Sequence, residues 1–218
     1  MKIDLHVHTS EVSKCGHMSA AETVGRYKAA GYDCIVITNH FNSYTADLFA
    51  QAGIPDFFEH YRRSYLLAKE EGERAGMLVL NGYEIRFNGA DNDYLIYGMD
   101  DATAKEYRTL FAMDPKSFSA LAAERGFLFY QAHPFRNHMK IMNPAYLFGI
   151  EIKNGNPRHD SRNDIAHMWA KKYSLHMIAG SDCHQQQDVG VTGVLTKRAV
   201  KDEAGLLAML REDDYTII

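Results

Sequence analysis

Long apolar runs are missing from this 218-residue chain. No segment approaches the ~18–20 residues that span a bilayer, so a membrane-embedded protein is not expected. Cysteine is scarce: Cys15, Cys34 and Cys183 are odd in number and show no CxxC spacing, which argues against a disulfide framework and a zinc knuckle. Cys34 sits in an apolar segment and reads as a small core residue. No block of basic residues stands out, and the formal net charge is −4. Binding of long nucleic acid or a membrane surface through charge alone is therefore not suggested, whereas a small phosphorylated ligand is compatible. Repeats, low-complexity tracts and Pro/Gly-rich linkers are absent, and no signal peptide is recognised before the first apolar segment. The expectation is a cytoplasmic protein in a reducing compartment. No Ser-His-Asp or Cys-His order suggests a side-chain nucleophile.

What is present is an ordinary globular composition, 46% hydrophobic and 24% charged, enough to bury a full core. The length suits one domain over residues 1–218. Eleven histidines are the unusual count. Apolar, β-rich segments (KIDLHVH, DCIVITNH, MLVLNGYEI, DYLIYGM, FLFYQAH, FGIEIKN and LHMIAGSD) alternate with helical ones (SAAETVGRYKAAG, DFFEHYRRSYLLAKEEGERAG, PKSFSALAAERG and NDIAHMWAKKY). Three of these helices run into a Gly, the usual C-terminal stop. Such alternation predicts an α/β fold with a parallel sheet covered by helices, and about seven strands in this length favour a (β/α) barrel.

The polar residues cluster at strand ends. KIDLHVH finishes in His6 and His8, IVITNH in Asn39 and His40, and LNGYEI near Glu84. FYQAHP finishes in His133, EIKNGN in Asn154, and IAGSDCH in Asp182 and His184. The C-terminal strand ends of such a barrel converge on one mouth, where active sites lie. Seven histidines and carboxylates meeting there point to a metal site, whereas His60, His167 and His176, set in helices or inside a strand, read as structural or solvent-facing.

DLHVHTS, ITNH, the strand-end Glu84, AHP and GSDCH resemble, in order, the motifs of the PHP (polymerase and histidinol phosphatase) superfamily, from residue 3 to about residue 190. The resemblance implies a distorted seven-stranded, TIM-like (β/α) barrel holding two or three divalent metals. It assigns His6, His8, Glu84 and Asp182 to a first metal, with Glu84 bridging to a second. It also assigns His133 to the second metal, and His40 and His184 to a third. Many members place a further histidine on the second metal; the matching stretch DYLIYGMD puts Asp93 there. For the third metal the loop TSEVSKCGHMS offers Glu11, Cys15 or His17. Glu11 is preferred because an oxygen ligand suits a mixed His/carboxylate site, and alignment also permits Cys15.

Mixed imidazole and carboxylate ligands suit Mn, Fe or Zn ions. Such ions can grip a phosphate ester and generate hydroxide from water at neutral pH, so the expected activity is metal-dependent hydrolysis of a phosphate ester, centred on Glu84, Asp182 and His184. The substrate could be a small phosphomonoester such as histidinol phosphate, a nucleotide or a short oligonucleotide. Arg136, Arg158 and Arg162, with His159 and Asn154, are the expected substrate-binding residues, since a guanidinium fork donates two parallel hydrogen bonds to a phosphate. Two rival readings are an amidohydrolase-type enzyme, which commonly bridges its metals with a modified lysine, and a non-catalytic metal-binding module.

Overall fold

The seven apolar segments become the seven longer strands of a single sheet. The structure is a computed structural model and describes residues 1–218. In chain order the elements begin with β1 (Lys2–Val7), α1 (Ala20–Ala29), β2 (Cys34–Ile37), the two-residue β3 (His40–Phe41), α2 (Ser43–Gln51) and α3 (Phe57–Ala75). Then follow β4 (Leu78–Arg86), β5 (Asp93–Tyr97), the short α4 (Asp101–Lys105) and α5 (Tyr107–Phe111), α6 (Pro115–Arg125) and β6 (Leu128–Gln131). The chain finishes with β7 (Gly149–Asn154), α7 (Asn163–Tyr173), β8 (His176–Gly180), β9 (Val194–Leu195), α8 (Glu203–Arg211) and β10 (Thr216–Ile217).

Local chemistry explains the helix limits. Ser19 opens α1 with a capping box to Glu22, Asp56 caps α3, and Asp114 caps α6 just before Pro115. Gly76 and Gly126 close α3 and α6 in the left-handed conformation that glycine adopts without strain. No helix is long and apolar enough to cross a membrane.

The sheet runs β10-β9-β1-β2-β4-β5-β6-β7-β8, with β3 paired to β4. It is barrel-shaped and nearly closed. Between β8 and β1 the seam is a single parallel bridge, Val7 to Cys183, with His8 N donating to Cys183 O at 3.0 Å. A buried carboxylate reinforces it. Asp4 accepts from Ser181 N (3.0 Å) and His6 N (3.1 Å) with Oδ1, and from the Tyr27 hydroxyl (2.7 Å) with Oδ2. Gly180 permits the approach, because a Cβ there would lie 2.3 Å from His6 Cβ and 2.8 Å from His6 N.

Contrary to the expectation from the apolar pattern, the sheet is not wholly parallel. β5 is antiparallel to both β4 and β6. Only residues 87–92 join β4 to β5, and so short a link makes a hairpin, not a crossover. Apolar side chains including Leu5, Val36, Leu80, Leu95, Tyr97, Tyr130 and Ile178 form one buried cluster, while two others pack the sheet against the helices. β1 also carries a bulge: Asp4 pairs with Ile35 but Val7 with Ile37, so β1 uses one residue more than its neighbour just before His8.

Candidate metal centre

Each histidine and carboxylate of the centre comes from a strand or the first residues beyond one. His6 lies in β1 and His8 just past it; Glu84 lies in β4, directly across from His40 of β3 and Leu95 of β5. His133 follows β6, and Asp182 and His184 follow β8. His133 (φ 29°) and Asp182 (φ 51°) are both in the left-handed region, a cost of about 1–3 kcal/mol each that the surrounding structure must hold in place.

The protonation pattern of the first two rings follows from their partners. His6 Nδ1 lies 2.9 Å from Glu151 Oε1, a carboxylate oxygen whose partner Oε2 already accepts two N–H donors, so Nδ1 donates the hydrogen. Ser13 Oγ donates its one hydrogen to Asn39 Oδ1 (2.9 Å), so it accepts from His8 Nδ1 at 3.0 Å. With Nδ1 committed in both rings, Nε2 is the atom that each ring turns towards the centre. Both Nε2 atoms are buried, and neither has a hydrogen-bond partner.

The two Nε2 atoms converge on carboxylates. His6 Nε2 is 3.3 Å from Glu84 Oε1 and 3.6 Å from Asp182 Oδ1; His8 Nε2 is 3.5 Å from Glu84 Oε2 and 3.4 Å from Asp182 Oδ1. Four ligands at the usual 2.0–2.2 Å from one ion would be roughly 3.3–3.6 Å apart, so this donor set fits a divalent metal. His6, His8 and Asp182 form one compact ligand group, Glu84, Asp93 and His133 a second, and His8, His40 and His184 a third.

Electrostatics agree with a site built for cations. Burial would raise Glu84 and Asp182, yet His6 and the neighbouring imidazoles hold both carboxyls well below their ordinary range, helped at Asp182 by Arg136. Burial, with His184 and His40 nearby, holds His8 well below the usual imidazole value, so its ring is neutral. Glu84 touches four rings, at 3.3 Å to His6 Nε2, 3.5 Å to His8 Nε2, 3.0 Å to His40 Nδ1 and 3.2 Å to His133 Nε2, and so joins the three groups.

The third group differs from the expectation in one ligand. Glu11 is turned away: its Oε1 accepts from Ala20 N (2.8 Å) at the start of α1, and it takes no part in the three groups. Cys15 takes the nearer place, with Sγ 3.2 Å from His40 Nε2. Burial opposes its ionisation, but His184 and His40 bring the thiol down to about 6. His17 lines the mouth beside it.

The mouth is a cavity of 320 Å³ walled by these ligands together with Arg86, Arg136, Asn156, Arg158 and His159. Asp93 is in a two-bond pair with Arg86 (2.7 and 2.6 Å), its cross-strand partner, while Oδ2 stays 4.0 Å from His133 Nε2. Arg136 donates to Asp182 Oδ2 (2.6 Å) and Asn154 Oδ1 (3.0 Å), while its buried Nε has no partner.

The other expected phosphate contacts are placed differently. Arg158 forms a two-bond pair with Asp188 (2.7 Å each), whose Oδ2 accepts from His184 N and Gln185 N; it braces the loop that carries His184. Arg162 does not reach the mouth: its guanidinium donates to Phe135 O (2.9 Å) and Asn137 Oδ1 (2.5 Å), clamping the segment after His133. Asn154 is buried and holds Arg136, so it supports the wall without facing a ligand. Cys183 is fully buried, and burial pushes its thiol up, as an inert residue requires.

Sequence reasoning gave no role to Glu151, Asp4, Ser13 or Asp188. The available signal was a lone carboxylate inside an apolar strand, in GIEIKN and KIDLHV, which must find partners once buried. His60 and His176 are structural, as expected: His60 Nε2 bonds Glu11 O (2.8 Å), and His176 bonds Asp213 (2.9 Å) and stacks on Phe148. A larger, more apolar hollow of 680 Å³, including Ile152, His167, Leu175, Met177 and Tyr215, contains none of the metal-ligand groups.

Comparison with known proteins gives the fold a context. Residues 160–215 match the family model described as PHP-associated. No curated protein matches the sequence. A two-domain protein from Bacteroides vulgatus, containing a predicted PHP-like metal-dependent phosphoesterase, superposes with a TM-score of 0.72 at 22% identity, over 100% of this chain and 64% of its own. A lesion-specific endonuclease from Pyrococcus furiosus gives a TM-score of 0.64 at 14% identity, over 99% of this chain and 57% of its own. An amidohydrolase from Chromobacterium violaceum, with sulfate bound and no metal, gives 0.57 at 16%, over 99% of this chain and 98% of its own. The chain thus spans somewhat less than two thirds of the first of these proteins. At these identities the likeness is one of fold.

Proposed function

We propose that this chain is a member of the PHP superfamily and hydrolyses small phosphate esters with the help of two or three divalent metal ions. One observation carries the reading. Two fully buried imidazoles, each with its Nδ1 hydrogen committed elsewhere, aim unpartnered Nε2 atoms at Glu84 and Asp182 below an arginine-lined mouth. His6, His8, Glu84 and Asp182 would hold a first ion, Glu84, Asp93 and His133 a second, and His40, His184 and Cys15 a third. The His/carboxylate sets suit Mn, Fe or Zn, and a thiolate in the third favours the softer of these. Bound there, such ions supply Lewis acidity at phosphoryl oxygens and make water nucleophilic at neutral pH.

The chain's own residues bind and orient the ester. Arg136 presents an unsatisfied buried Nε at the wall and suits a phosphate oxygen. Arg86 and Arg158, each held by a carboxylate, add positive charge at the rim. His159 lies in the same wall; burial and Arg136 hold its ring below the usual imidazole value, so it is neutral at pH 7 and serves as a hydrogen-bond partner. A 320 Å³ mouth accommodates a small phosphorylated molecule.

The test is phosphate release from a panel of phosphomonoesters and phosphodiesters, with amides run beside them, by protein loaded with Mn²⁺, Fe²⁺ or Zn²⁺. Release that depends on metal and drops at least about 100-fold in Glu84→Ala and Asp182→Ala supports the proposal. Turnover of amides alone would move the chain to the amidohydrolase reading, and tight metal binding without any turnover would make it a binding module.

A further inference from the structure

Glu151 stands out because it is a fully buried carboxylate with no lysine or arginine against it. An unpaired buried charge is costly, so its oxygens must be satisfied in another way. Each one is. Oε1 accepts from His6 Nδ1 at 2.9 Å. Oε2 accepts from the backbone N of His133 and from Asn154 Nδ2, both at 2.9 Å. Glu151 belongs to β7, whose Ile150 and Ile152 pack into the aromatic-rich core.

Those three donors belong to different parts of the centre. His6 is in the first ligand group and His133 in the second. Asn154 continues the chain of contacts: its Oδ1 accepts from Arg136, and Arg136 donates to Asp182. Asp182 Oδ1 in turn lies 3.6 Å from His6 Nε2, so the contacts close into a ring around Glu151. The backbone N of His133 is the donor at a residue in the left-handed region (φ 29°), which needs such a restraint.

We propose that Glu151 is the positioning residue of the centre, fixing the His6 tautomer through Oε1 and the strained His133 backbone through Oε2, so that two metal ligands are set by one carboxylate. The inference rests on the metal-dependent reading above, but it concerns metal binding and can be tested without turnover. A carboxylate–histidine–metal arrangement keeps the ligand nitrogen bare and the ring oriented, and losing the outer partner costs about 10–100-fold in metal affinity. Gln at this position retains the size but places an amide donor against at least one of three groups that are themselves donors.

The experiment titrates Zn²⁺ into metal-free wild type and Glu151→Gln against a chelator of known affinity, with circular dichroism confirming the fold of each. The expected result is a folded variant with affinity weakened about 10–100-fold. Wild-type affinity in a folded Glu151→Gln protein would overturn the proposal. If the variant does not fold, ¹⁵N NMR of the zinc-loaded wild type decides. A His6 ring protonated at Nδ1, with that hydrogen slow to exchange, is the expected signature, and protonation at Nε2 would refute the role. Absence of phosphate release from wild type would count against the hydrolase reading and leave these readouts unaffected.

Discussion

Asp4→Asn should stabilise the protein at neutral pH and destabilise it slightly in acid. Asp4 is fully buried at the β8–β1 seam, and burial, only partly offset by bonds from Ser181, Tyr27 and His6, raises its carboxyl from 3.8 to about 6. An acid whose pKa is higher in the fold than in the unfolded chain loses stability as pH rises. Here the loss occurs between 3.8 and about 6, an interval of roughly two pH units that corresponds to about 3 kcal/mol. Asn keeps the seam intact. Its Oδ1 can accept from His6 N and Ser181 N as before, and its Nδ2 can donate to the Tyr27 hydroxyl. Tyr27 then donates to Ser181 Oγ, 2.7 Å away, and Ser181 to His6 O. One amide hydrogen is left over, at about 1 kcal/mol. Asp4→Asn should therefore be about 1 kcal/mol less stable than wild type near pH 4 and about 2 kcal/mol more stable at pH 7.5. In melting temperature that swing is roughly 6–12 °C. The assay is thermal unfolding of both metal-free proteins across this range, with Asp4→Ala as contrast, which strands three donors and should lose at least about 3 kcal/mol at pH 4. A difference between Asp4→Asn and wild type that stays constant with pH would refute the reasoning.

Three further outcomes follow from other parts of the molecule. In metal-free protein, iodoacetamide at pH 7 should modify Cys15 alone, since its thiol is exposed and lowered to about 6 whereas Cys34 and Cys183 are buried; one adduct by mass spectrometry, slowed by zinc, is expected, and labelling unaffected by zinc would remove Cys15 from the third group. Arg136→Ala should raise KM for a phosphate ester about 10–100-fold, the worth of a charge-assisted hydrogen bond, and an unchanged KM would take Arg136 out of the substrate site. Gly25→Ala, in the middle of α1 with open space where the Cβ would sit, should stabilise by about 0.5–1 kcal/mol in a urea titration; destabilisation would show the helix face to be packed.

Much of the centre was legible because its ligands sit at strand ends, where apolar alternation stops and a lone His or carboxylate is conspicuous. All seven longer strands and four of the helices follow the hydrophobic pattern closely. The reversed direction of β5 is written in the short 87–92 connection and not in the composition of the strand, so apolar alternation alone does not show it. Short elements such as β3, β9 and α4 carry too few residues for a period to show, although Asp100 caps α4 plainly. The partners of the arginines were illegible for a different reason. A loop guanidinium goes to whichever acceptor the backbone presents, and Arg158 and Arg162 found Asp188 and Phe135 O, neither of which is close in sequence. Glu11 suits an ion on ligand chemistry alone, but the start of α1 offers it the N–H of Ala20. The apolar runs around Glu151 and Asp4 mark both as buried carboxylates that need partners, but do not say which partners they find.

The most direct test of the central claim is an anomalous-scattering crystal structure of the protein grown with Mn²⁺ or Zn²⁺. The account predicts one peak among His6, His8, Glu84 and Asp182 and a second among Glu84, Asp93 and His133, with both Nε2 atoms of the opening histidine pair on metal. Well-ordered crystals at saturating metal with no peak at these side chains, or with His6 Nε2 hydrogen-bonded to water instead, would contradict it.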